Sequence, residues 1–275
     1  MKKLIYTIFA SLFLLSCTSD SANEESNNST STALLVKTVT DSGGTQTINY
    51  NGNKITNSSS TDGSSSTFTY NGNFIIAENT VINNGVSSLY NYTSIMSYSN
   101  NLLSSYTQNG GSTNYSDSYN QAYTYNANGS ITENINSIHT NSSGITTSRV
   151  NKYIRFYSQG NCIKVEDYRT VNGLMTLTET ITYTYDTNNF PFKNITGFYT
   201  CFNPIGFANN NNKISETHKN ASGIVTSVNL ITYQYNSQNY PISSTETYTG
   251  YIINPQTGTS TPGTPTVSNT TFTYY

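Results

Sequence analysis

The chain has 275 residues, of which only 9% are charged; it carries a formal net charge of −2, 40 Asn, 24 Tyr and no Trp. So few Lys and Arg, with no basic patch, exclude a protein that holds nucleic acid by its phosphates. Aromatic residues make up 13% of the chain, which excludes a disordered polymer, because such chains are aromatic-poor.

Lys2-Lys3, an apolar run from Leu4 to Leu15 and the small Ser16 form a secretory signal with a helical core. The run is about 12 residues, well short of the ~20 needed to cross a bilayer. Residues 1–16 therefore read as a signal peptide. The stretch Leu14-Leu15-Ser16-Cys17 resembles the lipobox of bacterial lipoproteins. That resemblance implies that Cys17 is lipidated and becomes the new N-terminus, with the membrane as partner through its lipid. Each buried methylene is worth ~0.8 kcal/mol, so two or three acyl chains hold firmly. Without Lys2 and Lys3 the chain has ten basic and fourteen acidic residues.

Residues 17–33 read as the lipidated Cys and a flexible polar tether. Asp20, Glu24 and Glu25 resemble the acidic export signal that follows the lipidated Cys in Bacteroidetes of the flavobacterial type. That implies an outer-membrane, surface-exposed lipoprotein. Asp20-Ser21-Ala22 resembles the short O-glycosylation motif of that group. An ordinary solvated linker is the other reading of both.

Residues 34–275 read as one repeat domain. Aromatic and Thr residues alternate, then Asn or Asp opens a polar turn, then an aliphatic residue follows. Copies are Ile48-Asn49-Tyr50-Asn51-Gly52, Phe68-Thr69-Tyr70-Asn71-Gly72, Tyr123-Thr124-Tyr125-Asn126, Tyr183-Thr184-Tyr185-Asp186 and Tyr233-Gln234-Tyr235-Asn236. Phe156-Tyr157-Ser158 and Phe272-Thr273-Tyr274 are weaker copies. A second turn type lies between them, at Asn84-Gly85, Asn109-Gly110-Gly111, Ser143-Gly144, Asn172-Gly173 and Ser222-Gly223. Period-two patterning puts Tyr on one sheet face and Thr on the other. Asn-Gly closes tight hairpins because it accepts positive φ cheaply. The expected fold is all-β: an antiparallel up-and-down meander of about 16 to 18 strands with no helix beyond the signal. A curled single sheet or open roll would bury the Tyr face. The tract Asn209 to Asn212 reads either as structure or as the imprint of an AT-rich genome.

The stretches Tyr123 to Ile131, Tyr183 to Pro191 and Tyr233 to Pro241 resemble YD repeats, also called RHS-like repeats. Only the Tyr185 copy has the Asp, and Arg is missing after the glycine. The resemblance implies an extended β scaffold that coils into a shell and serves adhesion, glycan contact or toxin casing, without a shared active site.

The chemistry-bearing residues are sparse. His139 and His218 have no second His or Cys at metal spacing, and no cofactor or metal site is expected. No nucleophile elbow, phosphate loop or metalloprotease motif is present. Asp41, Asp62, Asp117 and Asp186 stand apart and read as turn residues. Glu133, Glu179, Glu216 and Glu246 read as repeated solvated positions, or as a source of a carboxylate pair for glycan hydrolysis. Arg149, Lys152, Arg155, Lys164, Glu166, Asp167 and Arg169 cluster within 21 residues. They read as cross-strand salt pairs on a solvated face, with Arg149, Arg155 and Arg169 as candidate contacts for an acidic glycan or protein partner. Tyr125, Tyr185 and Tyr235 are either core or a binding stripe. Cys162 and Cys201 are expected to be unbonded, with Cys162 opposite about Thr182 and Cys201 opposite about Leu177. That register puts them of order 20 Å apart, beyond the ~7 Å a disulfide spans.

The expected function is a non-catalytic outer-membrane or cell-surface lipoprotein, a β scaffold for adhesion or for glycan or protein binding. A periplasm-facing structural lipoprotein is the alternative, and a glycan hydrolase the third reading.

Overall fold

The computed structural model describes residues 34–83, 89–254 and 256–275. The signal peptide, Cys17, the tether and the Asn84-Gly85 turn lie outside the described residues. In chain order the strands are β1 (Val36–Asp41), β2 (Gly44–Asn51), β3 (Lys54–Ser60), β4 (Ser65–Asn71), β5 (Phe74–Asn83) and β6 (Leu89–Ser99). Next come β7 (Leu102–Ser112), β8 (Tyr115–Tyr125), β9 (Ile131–Thr140), β10 (Thr146–Ser158), β11 (Asn161–Val171) and β12 (Leu174–Tyr185). A short helix, α1 (Phe198–Phe202), precedes β13 (Lys213–Asn220), β14 (Val225–Tyr235), β15 (Pro241–Ile253), β16 (Ser260–Pro262) and β17 (Thr266–Tyr274).

Each strand pairs antiparallel with the next from β1 to β15, as the meander requires. The sheet then closes. β17 pairs with β15 and, through Thr38↔Thr273 and Thr40↔Thr271, with β1. Sixteen strands form the barrel, and β16 pairs only with the outer end of β15. This corrects the expected curled sheet or open roll. An open sheet leaves two edges with unpaired backbone donors and acceptors, and closure satisfies both. The shell of coiling sheet implied by the YD-repeat resemblance is not formed, because the ring is complete at β17.

The repeat marks a fixed place in each hairpin. Register shifts fall at Asn49/Tyr50, Thr69/Tyr70, Ser97/Tyr98, Phe156/Tyr157, Thr184/Tyr185 and Gln234/Tyr235. Such a bulge bends the strand and sharpens its twist. The Tyr beside it points inward; at three of these places it donates to a carbonyl at the start of the preceding strand, whereas Tyr157 donates to Asn203 of the segment before β13 and Tyr235 to Asp186. Tyr50 bonds Val36, Tyr98 bonds Ile75 and Tyr185 bonds Cys162, at 2.8, 2.7 and 2.6 Å. Tyr125, from the hairpin without a register shift, bonds Leu103 at 3.1 Å. The neighbouring Thr69, Thr124, Thr184 and Gln234 are exposed on the outer face.

Outward positions are mostly Thr, Ser and Asn, with isolated apolar residues such as Ile95, Ile138 and Leu230. Hydroxyls pair across strands there: Thr38 with Thr273 at 2.6 Å and Thr184 with Ser215 at 2.5 Å. One expected turn is absent. Gly110 and Gly111 lie inside β7, where a Cβ on Gly110 would come within 2.0 Å of the Asn91 carbonyl oxygen.

A plugged floor and a charged cup

Residues 186–212 leave the meander between β12 and β13 and close one end of the barrel. Phe190, Phe192, Ile195, Phe198, Cys201 and Phe202 are buried against Val36, Ile55, Ile75 and Leu103, which lie at the starts of odd-numbered strands. Burial of such aromatics contributes roughly 2–3 kcal/mol each. Gly197 opens α1 with φ 77°, and a Cβ there would fall 2.3 Å from the Asn73 carbonyl oxygen. The plug thus touches the hairpin turn directly, which only a glycine allows.

Polar bonds tie the plug around the ring. Thr196 N–H donates to Asn53, and Asn194 donates to the Leu34 carbonyl. The Asn161 side chain accepts from the N–H groups of Asn210 and Asn211, at 2.5 and 3.0 Å. Asn209 accepts from Cys162 N–H at 2.6 Å, and Asn212 donates to Asp186. The Asn tract is therefore structural. Cys201 sits on α1, not on a strand opposite Leu177, whereas Thr182 lies opposite Lys164, two residues from Cys162. Both thiols are free and buried, and burial pushes their pKa values up to about 11 for Cys162 and about 12 for Cys201.

Beyond the plug the interior is charged. The cluster expected on one solvated face is split by the pleat. Lys152, Lys164 and Glu166 face outward with Tyr168, and Lys164 bonds Glu166 at 2.9 Å. Arg149, Arg155, Asp167 and Arg169 face inward. Arg155 pairs with Glu133 while both side chains are nearly fully buried, and it lies against Gly206 of the plug. Burial opposes the Arg155 charge, but Glu133 more than offsets this and raises its pKa. Arg169 holds Asp167 through Nε and Nη2, at 2.9 and 2.6 Å.

The carboxylates read as solvated positions also face inward. Glu133, Glu179, Glu216 and Glu246 are not a free pair, because each is engaged. His218 stands between two of them, with Nδ1 2.9 Å from Glu179 and Nε2 2.6 Å from Glu216. Lys213 also bonds Glu216, and Asn229 bonds Glu246. Burial works against ionisation of Glu216, yet Lys213 and His218 together bring its pKa down to about 2. Two carboxylates on the two ring nitrogens require both to donate, so this geometry fits an imidazolium. Asp117, read as a turn residue, lies inside β8. It accepts from Tyr92 at 2.9 Å and pairs with His139 at 2.6 Å.

Tyr125 and Tyr185 belong to the ring around the plug, and Tyr235 bonds Asp186 at its edge. The structure does not bring these three together with Arg149 and Arg169, which lie on β10 and β11 toward the opposite, open end. Inward residues there are exposed, including Arg149, Arg169, Tyr248, Thr266 and Ser268. Among the described residues no group of His, Cys, Asp and Glu is arranged to hold a metal ion. The inward direction of the charges was readable: Arg149, Tyr153, Arg155 and Tyr157 share one parity.

No protein-family model matches the chain, and no curated protein matches it in sequence. In structure it is similar to a porin-like protein from Bacteroides vulgatus ATCC 8482, with a TM-score of 0.53 and 16% identity over 88% of this chain and 99% of that one. It is also similar to a porin-like protein from Bacteroides uniformis ATCC 8492, with a TM-score of 0.42 and 13% identity over 90% of this chain and 94% of that one. The first likeness is one of fold: the chain builds a sixteen-stranded antiparallel β-barrel of the shape seen in that porin-like protein.

Proposed function

We propose that this protein is a non-catalytic, lipid-anchored outer-membrane barrel that binds a ligand in its cup and does not conduct solute across the bilayer. One observation carries the reading: the barrel is polar outside and plugged at one end. A membrane-spanning barrel presents an apolar band ~25 Å tall to lipid, with outward residues apolar and inward residues polar. Here Thr, Ser and Asn face outward on strand after strand, and apolar side chains fill the floor. Sixteen-stranded porins leave an open aqueous channel, whereas residues 186–212 obstruct this one. The membrane attachment falls instead to Cys17. Leu34, the first described residue, is bonded to the plug at the floor of the barrel. The likeness to the porin-like protein of Bacteroides vulgatus supports an envelope setting.

The test is a paired measurement on the wild type and Cys17→Ser. The wild type takes up labelled fatty acid and fractionates with the outer membrane; the variant does neither. Vesicles carrying the wild type stay impermeable to small sugars. Sugar-permeable vesicles would overturn the reading of a plugged, non-spanning cup.

A further inference from the structure

We propose that the mouth of the cup carries an anion-recognition subsite, formed by Arg149 and Arg169, for the carboxylate groups of an acidic saccharide. The inference deepens the cup reading and rests on it.

The chain has three arginines, and all three face the lumen from β10 and β11. Arg169 lies opposite Asn151, and Arg149 is two residues further along β10 on the same face. Their side chains therefore leave diagonal positions ~7–8 Å apart, within reach of one planar anion. The guanidinium fork matches a carboxylate in two parallel hydrogen bonds.

The two arginines are prepared differently. Arg169 is held by Asp167, yet its side chain is still 55% exposed. Arg149 is exposed, and its guanidinium has no hydrogen bond or ion pair among the described residues. The Arg169 charge is already offset by Asp167, so the uncompensated charge at this spacing is that of Arg149. The nearby carboxylates do not compete for Arg149. Asp167 is engaged by Arg169, Glu133 lies deeper with Arg155, and Asp117 is engaged by Tyr92 and His139.

Neighbouring residues favour a saccharide over a small ion. Asn151 and Ser137 offer neutral hydrogen-bonding groups beside the arginines, opposite Arg169 and Arg149 respectively. Tyr153 on β10, with the Arg155 guanidinium over its ring, and Tyr119 on β8, opposite Ser137, share the inner face with them.

The test is calorimetry on the full mature lipoprotein in detergent, with tetragalacturonate, maltotetraose and inorganic sulfate as probes. Tetragalacturonate is expected to bind, and more weakly as salt is raised. Arg149→Gln is expected to raise its Kd at least tenfold with an unchanged melting temperature, and Arg149→Lys to recover part of the loss. Lys152→Gln removes the same charge from the outer face and should leave Kd unchanged. Equal binding by Arg149→Gln, or equally tight binding of sulfate alone, overturns the subsite. Binding of maltotetraose without tetragalacturonate overturns the subsite and leaves the cup reading standing. If neither sugar binds, both fail as stated for saccharides.

Discussion

The two ends of this barrel are built from the same hairpins and are filled in opposite ways. At the floor the repeats supply a ring of Tyr, four of them add an aliphatic residue (Ile55, Ile75, Leu103 and Ile131), and residues 186–212 complete the packing with Phe190, Phe192, Phe198 and Phe202. Toward the mouth the same inward positions carry Arg, Glu, Asp and His, matched to one another across strands. Sixteen strands enclose more space than side chains of the wall can fill. The chain therefore inserts a hydrophobic plug at one end and leaves a polar cup at the other. The floor is stabilised by excluded water, and the mouth by paired charge.

Substitutions at the two ends test that division. Phe190 is fully buried in the plug. Phe190→Ala is expected to lower the unfolding free energy by about 3–5 kcal/mol, the range for a buried aromatic replaced by Ala. Urea denaturation measures it, and a loss below about 1 kcal/mol would show that the plug does not unfold with the barrel. Glu133→Ala removes the partner of a buried guanidinium. Breaking such a pair costs about 3–5 kcal/mol, and the low end is expected because the cup admits water. Joint replacement by Glu133→Leu and Arg155→Met should recover most of the loss, which separates the cost of an orphaned charge from the worth of the pair. Smaller again is Tyr185→Phe, which leaves the Cys162 carbonyl without its donor. A cost of about 1–3 kcal/mol is expected. Thr184→Ala, on the outer face of the same strand, is the control and should stay within about 0.5 kcal/mol.

The sequence made one half of this contrast legible. The alternation Tyr123-Thr124-Tyr125 or Tyr183-Thr184-Tyr185 is a local signal, and it correctly separates inward from outward side chains. Closure is not local. Nothing in Val36 to Asp41 marks that strand as the partner of Thr266 to Tyr274, because the pairing spans the whole domain. The plug was hidden for another reason. Its Asn residues serve backbone groups of distant turns, so the tract from Asn209 to Asn212 has no periodicity to read. A usable signal was the break itself: a Phe-rich stretch, from Phe190 to Phe207, where every other interval holds a Tyr repeat. The charged cluster from Arg149 to Arg169 divides between the two faces because the pleat follows parity, and a run of charge carries no mark of the face each residue takes.

The charged interior also makes a prediction about pH, smaller than those above because the groups are partly solvated. Burial opposes protonation of His218, but Glu216 and Glu179 outweigh it and raise the pKa above the ordinary value. A raised folded-state pKa means that the contribution is fully present below the unfolded value of ~6.5 and fades as pH rises through the folded value. Glu216 runs the other way. Its pKa is lowered to about 2, so its contribution is present above the unfolded value of ~4.3 and is lost as pH falls toward 2. Stability from this triad should therefore be greatest between about pH 4.5 and 6.5 and decline on both sides. His218→Gln keeps a polar side chain but cannot be an imidazolium between two carboxylates. It should flatten the decline above pH 6.5 while leaving the floor substitutions, measured at the same pH values, as costly as before. A variant that still loses stability from pH 6.5 upward with the wild-type slope would show that His218 is not the titrating group.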